Sequence, residues 1–209
     1  MNRPVFVIGL TGSIGMGKST ASAMLKSMGL PIFDADATVH RLMGKGGDAV
    51  GAVEAAFPGV VVDGAVNRPE LGKRVFGDAL ALRRLERILH PRVGQAERAF
   101  LATVARRRLR YAVRDVPLLF ETGGDKRCDA TVVVSAPAHV QKARVLARPG
   151  MSEERLAQIL AKQMPDAQKR LRADYVVPSG LGRRVTRDAL AAVLRDIKRR
   201  RNSVDDGDA

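Results

Sequence analysis

The 209 residues suit one compact domain or one core with insertions, and a 45% apolar share without tryptophan implies a core of Ala, Leu, Val and Ile. The single cysteine, Cys128, excludes an intrachain disulfide, and no run reaches the ~18 apolar residues needed to cross a bilayer. A formal net charge of +14 asks for polyanionic partners, whether nucleic acid, acidic membrane or phosphorylated small molecules.

Taken in chain order, Val5 to Leu10 is a continuous apolar run, rich in β-branched residues and followed at once by glycines. It predicts a strand buried on both faces. The chain enters that run with no long apolar leader stretch or small-residue cleavage site, which predicts a cytoplasmic protein. Ser19 to Met28 predicts a helix closed by Gly29, and Pro31-Ile32-Phe33 a second strand ending at Asp34-Ala35-Asp36. Strand–helix–strand alternation predicts a parallel sheet wrapped by helices.

From Ala37 to about Arg108 the pattern is helical with polar breaks, and it reads as a helical insertion. Gly44 to Asp48 and Asp63-Gly64 read as loops, and His90-Pro91 as an interruption between two helices. Alternation resumes with a strand within Tyr111–Phe120 that ends near Pro117-Leu118-Leu119, and another at Ala130–Ser135. A helix is predicted over Val140–Arg148, then another capped by Ser152 with Glu153 and Glu154 in its first turn. Asp174–Val177 predicts a last strand. Val185, Ala189, Leu190, Val193, Leu194 and Ile197 predict an amphipathic helix, and residues 202–209 a disordered tail. Two basic clusters, at Arg106–Arg110 and Lys198–Arg201, read as solvated faces that lend a field attractive to polyanions.

Gly12-Ser13-Ile14-Gly15-Met16-Gly17-Lys18-Ser19 matches G-x-x-x-x-G-K-[ST] at every fixed position, after a strand and before a helix. The residue types follow from the chemistry. Glycines let backbone N–H groups approach phosphate oxygens, and the following helix points its positive end at the same anion. Lys18 would neutralise β- and γ-phosphate charge, and the Ser19 hydroxyl would ligate Mg²⁺. Asp34 and Asp36 follow the second strand, where a carboxylate can orient an acceptor hydroxyl and take its proton. Asp36 reads equally as a helix N-cap. Arg144 and Arg148, four apart on one predicted helix face, could close over phosphates or simply face solvent. His90 could bind acceptor or mark a helix stop. Arg68 could pair with a phosphate or with a carboxylate such as Glu70.

From Thr11 through Gly12, Ser13, Ile14, Gly15, Met16, Gly17, Lys18, Ser19 and Thr20, and again at Asp34-Ala35-Asp36, the sequence resembles the start of the dephospho-CoA kinase family. The likeness continues at Arg68…Leu71…Val75-Phe76, Leu89-His90-Pro91, Val116-Pro117-Leu118-Leu119-Phe120-Glu121, Arg144, Arg148, Gln163 and Ala173-Asp174-Tyr175-Val176. It therefore reaches to about residue 197.

The resemblance implies a P-loop NTPase fold: a three-layer α/β/α core with a parallel sheet (1–35, 109–143 and 172–201), a helical acceptor-binding insertion (36–108) and a small lid (144–171). It implies ATP as co-substrate with Mg²⁺, residues 12–20 on ATP, and transfer to the ribose 3′-hydroxyl of dephospho-CoA. Asp36 would be the base, Lys18, Arg144 and Arg148 would act on the transferring phosphoryl group, Asp34, Arg68, His90 and Leu119 would hold the acceptor, and Glu121 would serve the acceptor or a Mg²⁺-linked role. The family usually carries an asparagine shortly after the Ala-Asp-x-Val segment; here Pro178-Ser179-Gly180 offers only a hydroxyl.

Three rivals are weighed against this reading. Another P-loop kinase, acting on a nucleoside or nucleotide, shares everything but the acceptor site. A regulatory GTPase needs a late Asn-Lys-x-Asp segment, which is absent. A nucleic-acid-binding ATPase fits the charge, but aromatics for base stacking are few and no nucleic-acid motif is recognised; no nucleic-acid or membrane partner is expected.

Overall fold

The computed structural model describes residues 5–207. Its elements run β1 (Phe6–Thr11), α1 (Lys18–Ser27), β2 (Ile32–Asp34), α2 (Ala35–Met43), α3 (Val50–Ala56), β3 (Val61–Val62), β4 (Ala65–Val66), α4 (Arg68–Val75) and α5 (Ala79–Arg106). They continue with β5 (Tyr111–Asp115), a 3-10 turn at Gly124–Arg127, β6 (Ala130–Ser135), α6 (Ala138–Leu146), α7 (Glu153–Leu160), α8 (Asp166–Arg172), β7 (Tyr175–Pro178) and α9 (Arg183–Gly207). Two compact units result, one of Met1–Ile32 with Leu109–Ala209 and one of Phe33–Arg108.

The first unit is built on a parallel sheet in the order β2-β5-β1-β6-β7. β1 pairs with β5 on one side and β6 on the other, so the chain leaves β1 between two strands, where the order of connections reverses. In such sheets the crevice at the carboxyl ends beside this point receives ligands. β1 and β6 are buried along nearly their whole length because helices cover both faces of the sheet, which explains their mostly apolar character. Ile8, Leu10, Val132, Val134 and Val177 pack with Leu25 of α1 and with Leu190, Leu194 and Ile197 of α9 in one core. Each such side chain contributes about 1.5–3 kcal/mol by leaving water.

Two aspartates finish the ladder where strands begin. Asp129 accepts from the Val7 N–H at 2.6 Å, and Asp174 accepts from both the N–H and the hydroxyl of Thr131 at 2.7 Å. Asp174, part of the Ala-Asp-Tyr-Val segment, therefore has a structural task. The C-terminal basic run is a solvated face at Lys198, Arg199 and Arg200, as expected, and half-buried at Arg201. Arg199 and Arg200 pair with Asp196, which also accepts from the Tyr175 hydroxyl, and Arg201 lies over the Phe6 and Tyr111 rings and donates to the Arg110 carbonyl. α9 continues to Gly207, correcting the expected tail from residue 202; nothing between Arg201 and Asp206 breaks a helix, and Ser203 bonds back to the Arg200 carbonyl. Residues 208 and 209 lie outside the described ones.

The second unit gathers α2 to α5 around Leu42, Val53, Val60, Leu71, Leu85 and Leu89. The segment read as a loop at Asp63-Gly64 is the turn of a small antiparallel hairpin between β3 and β4. Both residues have positive φ, as a two-residue hairpin turn requires. α5 runs through His90-Pro91 without a break, correcting the expected interruption. Pro91 removes one backbone donor, and in the same turn the Arg92 guanidinium donates to the Ile88 carbonyl at 2.8 Å and to the Asp48 carbonyl at 3.1 Å. Leu85 and Leu89 on the near side of the proline and Val93 beyond it pack into one cluster, so burial holds the helix through the defect.

Candidate active site

The loop between β1 and α1 owes its shape to where its carbonyls point. Ser13 O accepts from the Met16 N–H at 3.1 Å, Ile14 O from Gln141 Nε2 at 2.7 Å, and Met16 O from the Ser179 hydroxyl at 2.6 Å. The Ile14 N–H donates to Gln163 Oε1 at 3.0 Å. With the Ile14 and Met16 carbonyls engaged by side chains and the Ser13 carbonyl by the loop's own Met16 N–H, the remaining N–H groups are left to face an anion. Glycine is required sterically as well. A Cβ on Gly12 would stand 2.7 Å from the Val134 carbonyl oxygen, and one on Gly15, at φ 77°, would stand 2.6 Å from a Val145 methyl. Gly12→Ala is accordingly expected to distort the loop and weaken nucleotide affinity by at least about tenfold, read by calorimetric titration with ATP.

α1 starts without a side-chain cap and without an acidic residue in its first turn. Its first N–H groups thus lack intrahelical partners, an arrangement that favours an anion. Lys18 opens the helix and its ammonium pairs with Asp115 Oδ1. Asp115 ends β5 opposite Leu10 of β1 and is 3% exposed, so the pair is largely withdrawn from water. The sequence reading missed Asp115; the available signal was a buried strand ending in a carboxylate beside the loop's own strand. Ser19 follows Lys18 and is exposed.

Arg144 turns its guanidinium to Ser179 O at 2.6 Å and Ser179 Oγ at 3.1 Å, with a longer approach to Gly15 O. It buttresses the loop, with Ser179 as the joint between them; the hydroxyl that replaces the family's usual amide has a defined use. Arg148 lies beyond the end of α6 and is exposed, so the expected shared helix face with Arg144 does not exist. The helix stops at Leu146, short of Pro149-Gly150.

Behind the loop, Lys169 of α8 is fully buried. Its ammonium pairs with Glu121 Oε1 at 2.9 Å and donates to the Pro117 carbonyl at 3.1 Å, which also accepts from the Thr11 hydroxyl. Glu121 Oε1 also accepts from the Met164 N–H at 2.8 Å. Burial pushes the Glu121 carboxyl up, but the hydrogen bonds from Lys169, Met164 and its own N–H outweigh it and hold the group below the usual glutamate value. A carboxyl depressed on folding stabilises in full above its unfolded pKa of about 4.3, and that contribution disappears as pH falls through the depressed folded value. Lys169→Met strands Glu121 and is expected to cost on the order of 3 kcal/mol at pH 7. The denaturant midpoint should fall accordingly, and the gap to wild type should narrow below about pH 4.

Leu119, expected on the acceptor, is fully buried: it packs where a Cβ on Gly9 or Gly124 would stand, and is a core residue. In the second unit, Asp34 is the N-cap of α2, its Oδ1 accepting from the Ala37 N–H at 2.9 Å. Asp36 is therefore not the cap; it sits exposed in the first turn. Arg68 Nη1 lies 2.8 Å from His40 Nδ1 and also contacts Nε2, while Glu70 pairs with Lys73 and Arg74 rather than with Arg68. His90 is exposed on α5. Gln141, Gln163 and Lys169 are not legible as loop supports in the sequence, where Gln163 enters the family likeness without a role.

The carboxyl end of this sheet can hold a triphosphate on main-chain amides and present its last phosphoryl group, and that capacity on this strand order defines a P-loop kinase. Residues 6–181 match the dephospho-CoA kinase family model. A dephospho-CoA kinase from Paramagnetospirillum magneticum is 66% identical over 164 residues, 78% of this chain and 77% of that protein. One from Novosphingobium aromaticivorans is 55% identical over 198 residues, 95% and 97% of the two chains. The crystal structure of TT1252 from Thermus thermophilus superposes with a TM-score of 0.81 at 35% identity, covering 93% of this chain and 98% of that one. The chain belongs to the dephospho-CoA kinase family, enzymes that phosphorylate dephospho-CoA with ATP in coenzyme A biosynthesis. No helix among the described residues is long and apolar enough to cross a membrane.

Proposed function

We propose that this chain moves the γ-phosphoryl group of ATP onto the ribose 3′-hydroxyl of dephospho-CoA, releasing ADP and coenzyme A, in the cytoplasm. The observation that carries the reading is the loop over residues 12–19, whose carbonyls are held outward by Gln141 and Ser179 while Lys18 stands at its helix with Asp115.

In this reading the amides of Gly15 and of Gly17 to Thr20 bind the β- and γ-phosphates, and Lys18 exchanges Asp115 for phosphate oxygens. Arg144 keeps the loop in shape from the side of Ser179, and exposed Arg148 is free to meet transferring charge. Asp36 orients the 3′-hydroxyl and takes its proton. Asp34 holds the start of α2 so that Asp36 is presented on a fixed turn, and Arg68 and His90 contact the acceptor. Residues 144–171 act as a lid that excludes water, which would otherwise compete as acceptor.

The residues present fit Mg²⁺. That ion keeps several waters and takes one or two protein oxygens plus substrate phosphates rather than an all-protein cage. The Ser19 hydroxyl and the Asp115 carboxylate match that donor set, and no group of three or more His, Cys, Asp or Glu side chains among the described residues offers a cage. Bound there, Mg²⁺ would neutralise phosphate charge.

The experiment is a coupled ADP-release screen across dephospho-CoA, nucleosides and nucleoside monophosphates. Turnover with dephospho-CoA at least a hundredfold above every other acceptor is expected; a preference for a nucleoside or nucleotide would replace the reading with that kinase.

A further inference from the structure

The loop's supports come from three places, and one of them has no counterpart in the mechanism above. Gln163 lies in the turn between α7 and α8, and its side-chain oxygen accepts the Ile14 N–H at 3.0 Å. Gln141 of α6, 7% exposed, donates to the carbonyl of the same residue at 2.7 Å. Ile14 is thus gripped at both its polar groups by two amide side chains, one that donates and one that accepts.

The turn that carries Gln163 is itself fixed. Its next residue, Met164, donates to Glu121, which is held by the buried Lys169. Lys169 reaches the Pro117 carbonyl, and so does the Thr11 hydroxyl one residue before the loop. The turn and the loop therefore meet twice, at Ile14 and through Pro117.

We propose that Gln163 is a positioning residue for phosphoryl transfer. By accepting the Ile14 N–H it fixes the Ser13–Ile14 peptide, and with it the direction in which the following amides of Gly15 to Lys18 point. An amide already bonded to a side chain cannot bind phosphate, so Gln163 also settles which loop donors remain for the nucleotide. Preorganised donors cost no reorganisation when the triphosphate arrives, and their alignment persists into the transition state. Gln163 touches neither substrate; it acts through Ile14. The proposal rests on the kinase reading of this loop.

The test uses the full chain with Gln163→Met, which keeps the length and removes the acceptor, and Gln163→Glu, which keeps an acceptor oxygen. Gln163→Met should weaken calorimetric MgATP affinity about tenfold and lower kcat/KM for ATP by at least as much, with KM for dephospho-CoA within about twofold. Hydrogen exchange at the Ile14 amide should speed up about tenfold, while exchange in β6 stays as in wild type. Gln163→Glu should restore slow exchange at Ile14. Unchanged MgATP affinity and exchange in Gln163→Met would overturn the proposal. So would a uniform rise in exchange with equal losses for both substrates, which marks a merely structural residue. If wild type binds MgATP but does not phosphorylate dephospho-CoA, the acceptor assignment falls, and the affinity and exchange of Gln163→Met still decide the role of Gln163.

Discussion

Lys18→Ala is expected to reduce turnover by about 10²–10³-fold, the loss typical of deleting one preorganised donor to developing charge. The structure adds a second consequence. Asp115 is 3% exposed and its partner is Lys18, so alanine leaves a buried carboxylate without its cation. Breaking such a pair costs about 3–5 kcal/mol, enough to mimic a catalytic defect by unfolding part of the sample. The folded fraction measured beside turnover separates the two, and Asp115→Asn, which also alters the proposed Mg²⁺ donor set, is added to Lys18→Ala to read the stability term. The double variant should regain most of the lost stability in a denaturant titration and none of the turnover. Recovery of turnover would mean that Lys18 serves the fold rather than the phosphates.

Asp36→Asn carries the other large effect. The amide keeps the shape of the side chain but accepts a proton far less readily than a carboxylate, so kcat should fall about 10²–10⁴-fold. ATP affinity should stay within about twofold. The helix should keep its cap, because that cap is Asp34, whose carboxylate holds the Ala37 N–H. Asp36 also sits in the first turn, where its charge suits the helix dipole, a contribution of about 0.3–1 kcal/mol that asparagine forgoes. Melting temperature and kcat measured together distinguish this small stability change from the loss of a base. Near-normal turnover in Asp36→Asn would remove Asp36 from the proton transfer.

How far the sequence reveals this molecule depends on the range of the interaction. β6 is found where its β-branched run predicts, Ala130–Ser135, and Ser152 caps α7 by accepting from the Arg155 N–H. The loop motif is local and legible. Pro91 misleads because the penalty it carries is local while the compensation is not: the Leu85–Leu89–Val93 face is buried against other helices of its unit. The α6 boundary misleads in the opposite sense, since Arg148 continues the polar pattern but the backbone has already left the helix. Least legible are the loop's supports. Ile14 and Gln163 are 149 residues apart, and Met16 and Ser179 are 163 apart. A side chain reaching a distant main-chain group leaves no periodicity behind. Asp115 is intermediate: the strand that carries it is visible, but the partner that gives the carboxylate its purpose belongs to another segment.

The basic character of the chain now divides into parts. Arg144 and Lys169 are engaged by the loop and its supports, Arg200 lies over Tyr175 of β7, and Arg201 lies over Phe6 of β1 and Tyr111 of β5, while Arg199 pairs with Asp196 within α9. The remaining exposed cations supply a field that favours approach of ATP and dephospho-CoA, both polyanions, and that contribution should weaken as salt screens it.

A single-turnover reaction with γ-labelled ATP and dephospho-CoA tests the account most directly, by locating the label in the products. Label is expected in coenzyme A, as a phosphomonoester on the ribose 3′-oxygen, at a rate no slower than steady-state turnover. Label recovered as inorganic phosphate, or on any other position or acceptor, would contradict it.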